Sequence, residues 1–283
     1  MKKLLLLSAL FIFGYGFGQT PITDDNFNQA ISTCLSTNPI DGMCSESEYG
    51  AMPFWDVSNV TNMFSAFFNK RDFNADLSNW DVSNVTNMRM MFYITDFNQD
   101  ISNWNVGNVQ NMSFMFASNG NGFNVDLSNW DVSSVWKFSY MFMFSSSFNQ
   151  DIGNWDVSSG IEFKGMFFGA ENFNQNLGNW NVSNANNLMS MLTNTNLNVE
   201  NYDNTIIGWS QQNVGQNLVF DAEGIFYCDS ADDRQILIDN YGWTISDAGP
   251  NCKTFYVPED NVLQDAGDTG DNILQDAGDK HYF

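Results

Sequence analysis

The chain has 283 residues, with 10 Lys plus Arg against 33 Asp plus Glu, a formal net charge of -23. That charge excludes holding a nucleic-acid backbone or an anionic membrane surface by electrostatics, and a content of 43% hydrophobic and 16% aromatic residues excludes a disordered acidic chain. The one histidine, His281, argues against Ser-His-Asp, Cys-His and multi-histidine metal chemistry.

In chain order, residues 1–18 read as a signal peptide. Lys2 and Lys3 precede an apolar run from Leu4 to Phe13, and Gly14, Gly16 and Gly18 follow. The run is too short to span a membrane and no later stretch matches it, so the remaining chain is expected to lack a transmembrane segment. Localisation is accordingly expected to be secreted, extracellular or at a bacterial cell surface. Residues 19–53 carry no good repeat and are expected to form an N-terminal cap. The four cysteines suit an oxidising compartment. Four allow three pairings; nearness in sequence points to Cys34–Cys44 and Cys228–Cys252. Free buried thiols are the other reading, and the spacings lack the short knuckle that zinc requires.

Residues 54–196 form an internal repeat. Tryptophans fall at 55, 80, 104, 130, 155 and 180, and Phe-Asn pairs begin at 73, 97, 123, 148 and 173. Two markers with one period near 25 residues define about six units. Within a unit, Leu77, Trp80, Val82, Val85 and Met88 follow the apolar spacing of a leucine-rich repeat. Alternation at Trp80 and Val82 predicts a short strand, and Met88, Met91 and Phe92 predict a helical turn. The expected fold class is therefore a repeat solenoid, a leucine-rich-repeat-like α/β coil stack with one short parallel strand and short helical turns per repeat.

On the runs FNQDISNW and VxNVxNMxxMF the chain resembles the BspA-like family of bacterial surface leucine-rich repeat proteins, of the domain of unknown function 285 type. The resemblance covers roughly residues 54–252. It implies a non-catalytic secreted or surface protein that adheres to protein or matrix ligands. Residues 197–252 resemble the terminal cap of such arrays. Residues 253–283 repeat QDAGD and are expected to be an acidic flexible tail.

The repeat lines residues up in columns. Asn74, Asn98, Asn124, Asn149 and Asn174 are expected to form a structural amide ladder, because an amide both donates and accepts. The outward positions Asn79, Asp81, Ser83, Asn103, Asn105, Asn129, Asp131, Ser133, Asn154, Asp156 and Ser158 form the candidate binding face. Asp76, Asp100, Asp126 and Asp151 are the candidate Ca²⁺ ligands, although no complete calcium loop is present; otherwise no cofactor is implied. The acids are copies in equivalent places, whereas a catalytic pair needs unlike environments, so no enzyme is expected. The Trp row reads as core rather than as a sugar platform. The alternatives to adhesion are a structural or assembly component of a surface layer, or a carbohydrate-binding module.

Overall fold

A computed structural model describes residues 20–120 and 122–252. The signal-peptide reading of residues 1–18 and the tail reading of 253–283 lie outside the described residues. Three α-helices are present among the described residues: α1 (Phe27–Leu35), α2 (Val199–Ser210) and α3 (Ala231–Tyr241). All three flank the repeats. A single 3-10 turn, Met52–Phe54, leads into the first tryptophan. Strands β1 (Val219–Asp221) and β2 (Thr244–Ser246) pair in parallel as a two-stranded sheet.

The leucine-rich-repeat-like solenoid of strand-and-helix coils is not what forms. Between Trp55 and Asn198 the described residues contain no α-helix and no strand longer than one bridging residue. Two features of the backbone account for the difference. First, the expected strand around Trp80 is broken by turns. Trp80 N–H donates to Leu77 O, Val85 N–H donates to Val82 O, and Asp81 Oδ1 accepts from Ser83 N–H at 3.0 Å. A side-chain oxygen that captures an amide two residues on favours a turn over a sheet ladder.

Second, the expected helical turn at Met88–Phe92 passes through the left-handed region. Met90 and Ile94 have φ of 59° and 60°, and Phe114, Ser118, Tyr140 and Phe144 repeat the pattern. A right-handed helix cannot run through such residues. Instead, alternate amides point at the neighbouring repeat. Met88, Met90, Phe92 and Ile94 N–H donate to the carbonyls of Asn111, Ser113, Met115 and Ala117 at 2.9–3.0 Å. Left-handed backbone at a non-glycine residue costs roughly 1–2 kcal/mol, and these inter-repeat bonds offset it. Single-residue parallel bridges mark the same segment: Asn62 to Asn87, Asn87 to Asn111, Asn111 to Lys137, Lys137 to Glu162 and Glu162 to Asn187.

The repeated apolar residues are buried, and the repeated tryptophans do more than fill volume. Each indole Nε1–H donates to a carbonyl in the preceding unit: Trp80 to Met52, Trp104 to Leu77, Trp130 to Ile101, Trp155 to Leu127 and Trp180 to Ile152, at 2.9–3.1 Å. Phenylalanines 67, 92, 116, 142 and 167 stack at 5.5–5.8 Å between ring centroids, one per repeat. Each also lies 3.8–4.0 Å from the Phe of its own Phe-Asn pair. Offset aromatic pairs contribute roughly 0.5–1.5 kcal/mol beyond area burial.

Both ends continue the register with different elements. At the N-terminal end, Asp24 accepts from Thr61 N–H, Asn62 N–H and Thr61 Oγ1–H. These amides would otherwise face a missing repeat. At the other end, Trp209 of α2 donates to Leu177 O, taking the place of a repeat tryptophan. Thr205 Oγ1 accepts from Leu177 N–H, and Gln212 accepts from Val182 N–H and donates to Trp180 O. The sheet extends the bridge series through Leu188 to Phe220. Disulfides Cys34–Cys44 and Cys228–Cys252 tie the two flanking segments, and no cysteine is free.

Candidate functional site

The outward polar positions are exposed or half-exposed, but many of their acceptors are already engaged. Asp56, Asp81, Asp131 and Asp156 accept from the amides of Ser58, Ser83, Ser133 and Ser158. Asn105 and Asn181 accept from Gly107 and Ser183 in the same way. A second turn series places Asp76, Asp100, Asp126 and Asp151 on the amides of Ser78, Ser102, Ser128 and Gly153. Hydrogen bonds from Ser78 hold the Asp76 carboxyl below the usual carboxylate range, and Ser83 and Ser158 do the same at Asp81 and Asp156. At Asp126 the backbone amide of Ser128 is the main cause. Each carboxylate thus closes its own turn. The four Ca²⁺ candidates do not converge: among the described residues no three His, Cys, Asp or Glu groups are placed to hold a metal ion.

Asn79, Asn103, Asn129 and Asn154 are exposed beside these turns. The Phe-Asn column makes bonds from repeat to repeat. Asn98 N–H donates to Asn74 Oδ1, Asn149 N–H to Asn124 Oδ1 and Asn174 N–H to Asn149 Oδ1, at 2.8–3.0 Å. The acceptor of each side chain therefore serves mostly the next main chain rather than the next amide. Asn124→Ala is expected to cost about 1 kcal/mol in a chemical denaturation curve, the size of one partly exposed hydrogen bond. An unchanged midpoint would show that Asn149 N–H finds water at no cost.

A different surface carries aromatic and apolar side chains that close no turn but pack from repeat to repeat, Phe68 on Tyr93 and Phe144 on Phe168 among them. It lies along the bridge-bearing segments, where the apolar spacing predicts only helical turns. Phe64, Phe68, Trp136, Phe144 and Met189 are 40%, 41%, 38%, 50% and 39% exposed, and all lie on or next to these segments. Tyr140 and Phe114 stack with centroids 4.7 Å apart. Tyr140 and Phe144 lie against Gly165 and Gly169 of the next repeat, where an added Cβ would fall 2.4 and 2.5 Å from the rings. The glycines at these two left-handed positions relieve backbone strain and also seat the two rings.

Three of the basic residues, Arg89, Lys137 and Lys164, lie on the same segments. Six of the ten basic residues lie within the described range: Lys70, Arg71, Arg89, Lys137, Lys164 and Arg234. Arg234 is paired with Asp247 at 2.7 Å, the single ion pair among the described residues. Arg89 lies over the Phe64 ring and Lys137 over the Trp136 ring, at 5.4 and 4.2 Å. Arg89, Lys137, Phe114 and Tyr140 line an open groove of about 390 Å³ together with Ser139 and Glu162. The signal that could have located this surface was the clustering of Arg89, Lys137 and Lys164 at or two residues beyond the bridging positions of an otherwise acidic repeat.

These features define a chain of hydrogen-bonded turn repeats with an exposed aromatic and cationic side. The family model described as "Mycoplasma protein of unknown function, DUF285" matches residues 38–142 and 118–224, and the chain belongs to that family. No curated protein matches the chain, and neither does any solved structure. The resemblance to BspA-like leucine-rich repeat proteins is corrected accordingly: the matched family is one of unknown function, and the strand-and-helix coil is absent. With that resemblance falls the implied role of an adhesion protein binding through a leucine-rich-repeat face. The surface-layer and carbohydrate-binding alternatives likewise find no specific support. Among the described residues no helix is long and apolar enough to cross a membrane.

Proposed function

We propose that this is an exported, non-catalytic protein that works by contact with a protein partner, through the aromatic side of the repeats. The row Phe64, Phe68, Trp136, Phe144 and Met189 carries the reading. Exposed large apolar side chains gathered on one surface mark contact sites more often than they occur by chance. Export fits the two disulfides, which persist in oxidising compartments. The non-catalytic reading rests on the equivalence of the repeated acids, each closing a local turn.

The test is photo-crosslinking in the organism that produces the chain. A benzoylphenylalanine at position 144 is expected to yield a discrete crosslinked protein outside the cell. The same group at position 79, among the polar turns, should yield none. Equal labelling at both positions, or none at 144, would overturn the reading.

A further inference from the structure

We infer that the groove between Arg89, Lys137, Phe114 and Tyr140 binds an extended acidic protein segment that alternates carboxylate and apolar side chains. This rests on the contact reading above and names the chemistry of the partner.

Three observations carry it. The first is charge. In a chain of net charge -23, Arg89, Lys137 and Lys164 have no carboxylate within ion-pair distance among the described residues. Arg89 and Lys137 are instead held over aromatic rings, an arrangement that leaves their N–H groups free for an incoming acceptor. Glu162 lines the same groove and sets a limit on how much negative charge the site tolerates there. At physiological ionic strength the screening length is about 8 Å, so a ligand in the groove responds chiefly to the charges that line it, Arg89 and Lys137 against the single Glu162.

The second is spacing. Neighbouring repeats are joined by parallel single-residue bridges, from Asn87 to Asn111 to Lys137 to Glu162, and hydrogen-bonded strands lie about 4.8 Å apart. Arg89 and Lys137 are two repeats apart, and Lys137 and Lys164 are one. An extended peptide advances about 6.6 Å for every two residues. Against repeats about 4.8 Å apart, its same-face side chains stay in step over only one or two units, which covers the step from Lys137 to Lys164.

The third is the apolar floor. The stacked Phe114–Tyr140 pair lies in the groove between the two cations. Tyr140 is seated against Gly165, so little side-chain freedom is lost when a partner covers it.

The probe is a fluorescein-labelled peptide of alternating Glu and Phe, followed by fluorescence anisotropy with the disulfide-intact chain. Binding is expected to weaken about tenfold or more in the double variant Arg89→Glu with Lys137→Glu, and to weaken as salt is raised. Asp81→Asn, on the polar turns, should leave it unchanged. Both cations are on the surface, so the double variant should keep the parent melting temperature; Arg89→Gln with Lys137→Gln gives a milder second check. Equal binding by parent and double variant overturns the proposal, as does failure of the parent to bind the peptide at all. An oligothymidylate that binds as tightly as the peptide would also overturn it, by reducing the groove to a general polyanion site. Crosslinking at position 144 reads the contact function independently. A crosslinked partner without peptide binding would reject the acidic-segment chemistry alone.

Discussion

Replacing Asp203 with alanine is expected to destabilise the protein by about 3 kcal/mol or more. Asp203 lies on α2 and is 4% exposed. Its two oxygens accept from the backbone N–H of Cys228, Asp229 and Ser230 at 3.0–3.1 Å, and from Ser230 Oγ–H at 2.6 Å. One carboxylate thereby gathers the amides that open α3 and the cysteine of the second disulfide. Ser230 is fully buried, so its amide and hydroxyl cannot turn to water when the acceptor is lost. Each stranded buried donor costs roughly 1–3 kcal/mol. Asp203→Asn keeps one acceptor oxygen but adds donors facing donors, and is expected to fall between parent and alanine variant. Urea denaturation at constant slope checks both. A loss under about 1 kcal/mol for the alanine variant would mean that the segment after Cys228 relaxes onto other acceptors.

The second large effect is Gly208→Ala. Helix propensity alone says that alanine in place of glycine inside α2 stabilises by about 1 kcal/mol. The packing says the opposite. A Cβ at Gly208 would fall 2.1 Å from Gly178 O and 2.7 Å from Gly178 Cα, and one at Gly178 would fall 2.3 Å from Asn204 O. Here backbone rests on backbone, and no flexible side chain can give way. The variant is therefore expected to lose about 1–3 kcal/mol, the usual range for overpacking, with α2 lifted from the last repeat. Lifting it also strands the bonds from Leu177 N–H to Thr205 and from Trp209 to Leu177 O. A rise in melting temperature would show that α2 shifts freely along the repeat. Gly178→Ala tests the other side of the same contact and should act in the same direction.

Gly178 also shows how far sequence reasoning reaches. Equivalent positions in three earlier units hold Ser78, Ser102 and Ser128. Glycine already stands at the equivalent Gly153, where a Cβ would meet the carbonyl of Asn176 in the next unit; at Gly178 the crowding backbone is that of α2, which the sequence of the repeat does not reveal. The aromatic side has a similar history. Phe64, Phe68 and Phe144 correspond to Arg89, Tyr93 and Ile94, beside the Met88, Met91 and Phe92 positions whose apolar spacing predicts a helical turn. Nothing in their periodicity reports that Met90, Ile94, Phe114 and Tyr140 adopt positive φ. That conformation is stabilised by inter-repeat hydrogen bonds, which a single unit read alone does not contain. The left-handed residues aim alternate amides along the stack and leave exposed rings on the same segments.

The tryptophan and Phe-Asn markers are legible because burial and repetition impose them on every unit. The apolar interior and the period near 25 residues follow from composition and spacing alone; nearness in sequence points to the pairing Cys34–Cys44 and Cys228–Cys252, and the structure selects it from the three that four cysteines allow. The outward Asp and Asn columns are equally visible as columns. Whether they face a partner or close their own turns depends on where the Ser83, Ser128 and Ser158 amides point, which is a matter of backbone torsion. The same holds for the strand expected at Trp80, which is turned by the Ser83 amide on Asp81 and the Val85 amide on Val82.

The repetition, the buried side chains and an acidity unsuited to nucleic acid are all readable from the residues alone. That the repeats are hydrogen-bonded turns rather than strand-and-helix coils, and that Arg89 and Lys137 lie over exposed rings, emerges only once the units are packed together. The physical reason is that burial is a property of single residues in a periodic pattern. Backbone conformation here is set by bonds between units, which exist only after the units have come together.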